Sequence, residues 1–224
     1  MSKVIIVTGA AGALGTAVVK RLAAGEAPVV AVDYADSMSP MGQAAFVGGI
    51  DLTDADAAKA AYDRIVAQHG AIGGLVNIAG GFVWETLADG DVASWDKMYA
   101  INVKTTLNSC RAALPHMAGT GGSIVNVGAA GAVKADAGMG AYGAAKSGVM
   151  RLTEALAAEC KDGGPRVNAV LPSIIDTGIN RKDMPDADFS AWVSPASLAE
   201  VIAFLLSDAA EAMTGALVPV TGRV

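Results

Sequence analysis

The sequence predicts an α/β fold: one domain over residues 1–224, built as a doubly wound parallel sheet with helices on both faces. Three observations carry that expectation. Short β-branched apolar runs alternate with longer stretches of helical period along the chain, a rhythm that produces parallel strands covered on both sides. The first run ends in a glycine turn that opens a helix, "KVIIVTGAAGALG" from Lys3 to Gly15. No linker, internal repeat or low-complexity block interrupts the alternation.

The opening stretch reads as a strand, then glycines, then Leu14, Val18, Val19 and Leu22 at helical spacing. A strand, a glycine turn and a helix in that order let backbone approach a pyrophosphate and aim a helix N-terminus at its charge, so dinucleotide binding is expected. Pro28 to Asp33, "PVVAVD", is the second strand and ends in a carboxylate 18 residues beyond Gly15. An acidic group there accepts hydrogen bonds from the adenosine ribose and repels a 2′-phosphate. No Lys or Arg lies between Asp33 and Lys59, so NAD is expected rather than NADP.

Pro40 and Gly42 precede the third strand, Ala44 to Val47, and the crossover helix between these strands is expected to be shortened or missing. Thr53 is the expected N-cap of a helix that runs to Gly70. Ile72 to Ile78 is a buried strand leading into the close-approach turn Ala79-Gly80-Gly81. One long helix is expected from about Val92 to Met117, with Pro115 near its end. A strand from Gly122 to Val127, a helix from Met139 to Cys160 and a strand from Pro165 to Leu171 follow. The segment Ser173 to Val193 breaks the rhythm with Pro185, three aspartates (Asp183, Asp186, Asp188), Met184, Phe189 and Trp192. It reads as a solvated loop or as a lid, since it follows the carboxyl end of a strand, where ligands of such sheets bind. A helix from Ser194 to Ser207 and a short strand from Ala216 to Val220 close the fold.

The stretch "AYGAAKS", Ala141 to Ser147, sets Tyr142 and Lys146 four residues apart on one helix face. A phenol holds its proton until pH ~10, and a cation beside it favours the phenolate and brings proton transfer within reach. On a bare surface the two would be mere neighbours. A dinucleotide brought to them gives the pair chemistry to do.

Composition excludes several function classes. The net charge of −6 and pI near 4.8 argue against nucleic acid or an anionic membrane as partner. Apolar residues make up 53% and mean hydropathy is +0.43, yet the richest run, Leu198 to Leu206, carries Glu200 and is too short to span a bilayer. The amino end gives no expectation of a signal peptide. Cys110, Cys160, His69 and His116 lack metal-ligand spacing, so no metal site is expected, and reduced thiols in a cytoplasmic protein are.

Taken together, "TGAAGALG" from Thr8, Asp33, Asp51, "NIAG" from Asn77, Asn102, "YGAAK" from Tyr142 and "LPSIIDT" from Leu171 make the chain resemble the short-chain dehydrogenase/reductase family over its whole length. The resemblance implies a Rossmann-type sheet, a nicotinamide cofactor, a small-molecule substrate and hydride transfer with Tyr142 as proton donor or acceptor. It further implies that Lys146 holds the nicotinamide ribose and lowers the tyrosine pKa, that Asn102 anchors a water in the proton relay, and that Thr177 holds the carboxamide. By the same resemblance the cofactor lies along Gly9, Ala11, Gly12, Leu14, Gly15, Asp33, Asp51, Leu52, Ala79, Gly80, Tyr142, Lys146, Pro172, Ile175 and Thr177. Members of such a family usually pair through the two long helices flanking the site, so a homodimer or homotetramer is expected.

Three residues depart from the family pattern. The middle loop glycine is Ala13, and the second asparagine of the "NNAG" turn is Ile78. The catalytic serine expected 13 residues before Tyr142 is Ala129, beside Gly128, so the usual polariser of a substrate carbonyl is absent. Dihydropteridine reductases are similar in that alanine, in "GALG" at Gly12 to Gly15, in the shortened crossover and in the lid from Asp176 to Trp192. That likeness implies a quinonoid pterin as an alternative to a simple carbonyl. A dinucleotide-binding sensor or structural subunit with little turnover is the other alternative, supported by Ala129 and opposed by the retention of Tyr142 and Lys146. Phe82 and Trp192 are the candidates to stack on a substrate ring, with Ala129 beside them in the pocket.

Overall fold

Side-chain alternation along the first two strands sets the layers. In the computed structural model, which describes residues 3–119 and 121–224, β1 (Val4–Thr8) sends Val4 and Ile6 to one core and Ile5 and Val7 to the other. The expected domain also takes in residues 1, 2 and 120, which lie outside the described residues. Helix α1 (Ala13–Ala23) follows, then β2 (Val29–Val32), β3 (Ala45–Val47) and α2 (Ala55–His69). Strand β4 (Ile72–Asn77), helices α3 (Val92–Met98) and α4 (Thr105–Ala113), β5 (Ser123–Val127) and α5 (Gly140–Glu159) come next. The chain ends through β6 (Arg166–Pro172), α6 (Gly178–Asp183), α7 (Pro195–Leu206) and β7 (Leu217–Val220).

Among the described residues seven strands form one sheet in the order β3-β2-β1-β4-β5-β6-β7, parallel at every pairing. Helices α1 and α7 pack together over one face, and α2, α4 and α5 cover the other. This is the expected doubly wound α/β fold with both faces buried. The chain turns from β1 toward β3 on one side and toward β7 on the other, so the crevice opens beyond the carboxyl ends of β1 and β4. Among the described residues no helix is long and apolar enough to cross a membrane.

Two expectations are corrected. The N-cap of α2 is Asp54, not Thr53: the Asp54 carboxylate accepts from the N–H groups of Asp56 (2.8 Å) and Ala57 (3.2 Å). The Thr53 hydroxyl is already engaged, donating to Asp51 at 2.7 Å. The single helix expected over Val92–Met117 is divided instead into α3, a π-helical turn (Tyr99–Lys104), α4 and a 3-10 turn (Leu114–His116). Inside the wide turn, hydroxyls of Thr105 and Thr106 donate to the carbonyls of Ile101 (2.8 Å) and Asn102 (2.9 Å), and the Asn102 amide donates to that of Met98 (3.0 Å). These side chains satisfy main-chain oxygens that a regular α-helix would satisfy with N–H groups. No helix joins β2 to β3, as the proline and glycine there suggest.

Candidate active site

A cleft of about 1930 Å³ runs across the carboxyl ends of the strands, well above the volume of a typical single-ligand pocket. Its first wall is the glycine turn. Gly9 has φ +64°, and a Cβ there would lie 2.6 Å from the Ala79 nitrogen. A Cβ on Gly15 would collide with the Gly9 carbonyl. The backbone is thus packed too closely for side chains, which leaves its polar groups open to a ligand. Gly12 caps α1 with no side-chain bond, and Ala13, Leu14 and Gly15 of the first turn line the cleft.

Asp33 stands at the end of β2. Its carboxylate accepts from the Ala11 N–H (2.8 Å) and the Ala35 N–H (2.9 Å), tying the glycine turn to the neighbouring strand. Ala11 itself does not line the cleft, so its part is to hold Asp33. Asp51 and Leu52 line the same end: Asp51 accepts from the Thr53 N–H (2.8 Å), and Asn108 donates to the Leu52 carbonyl (2.9 Å). On the middle wall, Thr8 accepts from the N–H groups of Ile78 (3.1 Å) and Ala79 (3.3 Å), which shapes the Ala79–Gly80 turn.

At the far end α5 brings Tyr142 and Lys146 into the cleft. Lys146 is only 5% exposed, and its ammonium donates to the Val127 carbonyl at 2.7 Å. Burial pushes the Lys146 ammonium down to about 8 and the Tyr142 phenol up to about 12. The lowering of the tyrosine pKa by Lys146 is therefore corrected for the protein alone. Desolvation is the cause of the Tyr142 shift, and the lysine's hydrogen bond goes to Val127. The Phe82 ring meets Tyr142 edge-on, with centroids 4.9 Å apart.

Asn102 is fully buried and lies outside the cleft lining. Its side chain is spent on Gly81, accepting from the N–H (3.2 Å) and donating to the carbonyl (3.1 Å), so it braces the turn after β4. Pro172, Ile175 and Thr177 line the cleft, with the Thr177 hydroxyl accepting from the Asn180 N–H (3.2 Å) to cap α6. Ala129 and Phe82 line it as expected. Trp192 does not. It is buried, its ring packs on Phe189 (4.8 Å), and the neighbouring Ala191 carbonyl accepts from the Arg223 N–H (3.0 Å).

Sequence reasoning passed over Tyr34, Trp84 and Asn180, all of which line the cleft. Tyr34 follows Asp33, and Trp84 follows Phe82 by two residues, so adjacency to a named residue was the available signal. Asn180 belongs to the Ser173–Val193 segment, which does border the cleft through α6.

Comparisons with known proteins agree with this architecture. Residues 3–188 match the family model described as short chain dehydrogenase. The chain is 35% identical to cis-4-hydroxycyclohexanecarboxylate dehydrogenase of Sinomonas cyclohexanicum, over 98% of this chain and 95% of that protein. It is 31% identical to meso-2,3-butanediol dehydrogenase of Serratia marcescens, over 99% and 94%. Among solved structures, a short-chain type dehydrogenase/reductase from Mycobacterium ulcerans superposes with TM-score 0.90 at 27% identity, covering 100% of this chain and 90% of that one. Carveol dehydrogenase from Mycobacterium avium in complex with NAD gives 0.87 at 29%, covering 98% and 96%. With a glycine-walled cleft that ends at a tyrosine and a buried lysine, and with this match along most of its length, the chain belongs to the short-chain dehydrogenase/reductase family of oxidoreductases.

Proposed function

We propose that the protein is an NAD(H)-linked oxidoreductase that interconverts a small carbonyl compound and its alcohol, with Tyr142 as proton donor and acceptor. The observation that carries this reading is the layout of one continuous cleft: Asp33 and the glycine turn at one end, Tyr142 and Lys146 at the other. A nicotinamide dinucleotide fits the residues present. The Gly9–Gly15 contact leaves room for a pyrophosphate against bare backbone, and the first turn of α1 offers N–H groups to it. Gly9, Gly12, Leu14 and Gly15 would hold the phosphates, Asp33 the adenosine ribose, Asp51 and Leu52 the adenine end. Ala79 and Gly80 would back the middle of the molecule, and Pro172, Ile175, Thr177 and Lys146 its nicotinamide end. When bound, that group supplies or accepts the hydride.

The chain's own residues handle the proton. Tyr142, with its pKa near 12, is fully protonated at neutral pH and can donate to the developing alkoxide during reduction. Lys146 keeps a positive charge below pH ~8, which stabilises the phenolate left once the proton has been given up. Asn102 positions the Gly81 backbone below the reacting end. Ala129 contributes no hydroxyl, so Tyr142 acts without the second donor that a serine would supply.

Cofactor choice tests the reading. Asp33 lines the cleft with no basic residue between it and Lys59, so NADH should bind at least about ten-fold more tightly than NADPH, roughly 1.4 kcal/mol. Tryptophan-fluorescence titration with each cofactor measures this. Asp33→Ala should narrow the gap, and equal affinities in the unaltered protein would sink the proposal.

A further inference from the structure

Trp84 combines two properties that rarely go together: 60% of it is exposed, and it is held in place. It sits on the connection between β4 and α3 and lies against Gly138, whose φ is +77°. Any Cβ at 138 would fall inside the indole ring. The Glu85 N–H donates to the Gly138 carbonyl at 3.1 Å, locking the two backbones beside that contact. Gly138 lies just ahead of α5, so the tryptophan is seated on the loop that leads into Tyr142. Two residues earlier Phe82 is fixed edge-on against Tyr142 itself. Both rings line the reacting end of the cleft, with Ala129, Met139, Ile179 and Met184 as further apolar lining.

Such a wall is a recognition surface for a ring. Side-chain order is normally lost when an aromatic is left exposed, whereas a pre-seated indole offers its face without that cost. The reacting oxygen has an added reason to need it. With alanine at 129, the hydroxyl a serine would place there is missing, and fewer hydrogen bonds to the carbonyl leave the substrate freer to rotate. The face presented for hydride transfer must then be set by contact between the substrate body and rigid walls. A flexible acyclic ketone makes that contact poorly; a fused ring makes it well.

We infer that the substrate class is a cyclic, ring-fused carbonyl compound or its secondary alcohol, and that Trp84, seated on Gly138, is the residue that selects it. This rests on the oxidoreductase reading above. In the reduction the C=O carbon gains the hydride from NADH and the oxygen gains the Tyr142 proton, so ketone, NADH and H⁺ give alcohol and NAD⁺.

The test uses 1-tetralone and 2-decanone, ketones of equal carbon count, with wild type, Trp84→Ala and Trp84→Phe. NADH oxidation gives kcat and KM, and calorimetry gives the affinity of each ketone for the protein with NAD⁺ present. Wild type should favour tetralone by about tenfold in kcat/KM and in affinity, the scale of one good aromatic contact. Trp84→Ala should raise KM for tetralone far more than for 2-decanone and so erase that preference, with NADH affinity kept, and Trp84→Phe should restore part of it. Equal treatment of the two ketones by wild type overturns the inference. So does an equal loss on both in Trp84→Ala, which would mark a purely structural tryptophan. If NADH fails to bind, the oxidoreductase reading falls, while calorimetry of tetralone against wild type and Trp84→Ala without NAD⁺ still decides the role of Trp84.

Discussion

Lys146 shows how much a single buried charge can shape this site. In the protein without cofactor its pKa falls from 10.5 to about 8 because burial disfavours the ammonium. The unfolded chain therefore holds one more proton than the folded one between pH 8 and 10.5, and stability rises with pH in that window. Below pH 8 both states are charged and the burial penalty is present in full. Replacing the lysine with methionine removes the penalty. The difference in unfolding free energy, wild type minus Lys146→Met, should thus rise by about 3 kcal/mol from pH 8 to 10.5. Denaturant melts of both proteins across that range measure it. A flat difference would mean that Lys146 retains an ordinary pKa.

At the scale of elements, the sequence revealed what repeats and concealed what depends on partners. Strand positions are set by runs of buried β-branched residues, such as Val29–Val32, and these were legible to within a residue or two. So was the glycine turn, because Gly9 and Gly15 are required by backbone contacts that hold wherever such a turn occurs. The wide turn at Tyr99–Lys104 was not legible. It depends on Asn102 reaching Gly81, a contact across 21 residues that local periodicity does not encode. Trp192 was not legible either: its ring is buried against Phe189, a packing that its position in an irregular segment does not reveal. The α2 cap was a choice between adjacent residues, decided by Asp51 taking the Thr53 hydroxyl. Asp54→Ala should lower stability by about 1 kcal/mol, a loss typical of an N-cap. A melt of Asp54→Ala unchanged from wild type would return the cap to another residue.

Across the whole molecule, the parallel sheet serves the chemistry by turning the chain in opposite directions on either side of β1 and β4. That switch brings Asp33, at one part of the cleft, together with a proton-transfer pair that follows it by 109 (Tyr142) and 113 (Lys146) residues in the chain. Tyr142 and Lys146 thus meet the glycine turn through the fold and not through local sequence. The central claim is that this cleft carries a hydride from NADH to a carbonyl carbon, with Tyr142 supplying the proton. The most direct measurement follows deuterium from NADH carrying deuterium at both C4 positions, in wild type and Tyr142→Phe, together with the NADH dissociation constant of each. Deuterium should be found on the carbinol carbon of the wild-type product. Turnover by Tyr142→Phe should fall at least about 10²-fold, with NADH affinity unchanged. Unlabelled alcohol, or a phenylalanine variant as fast as wild type, would contradict the account.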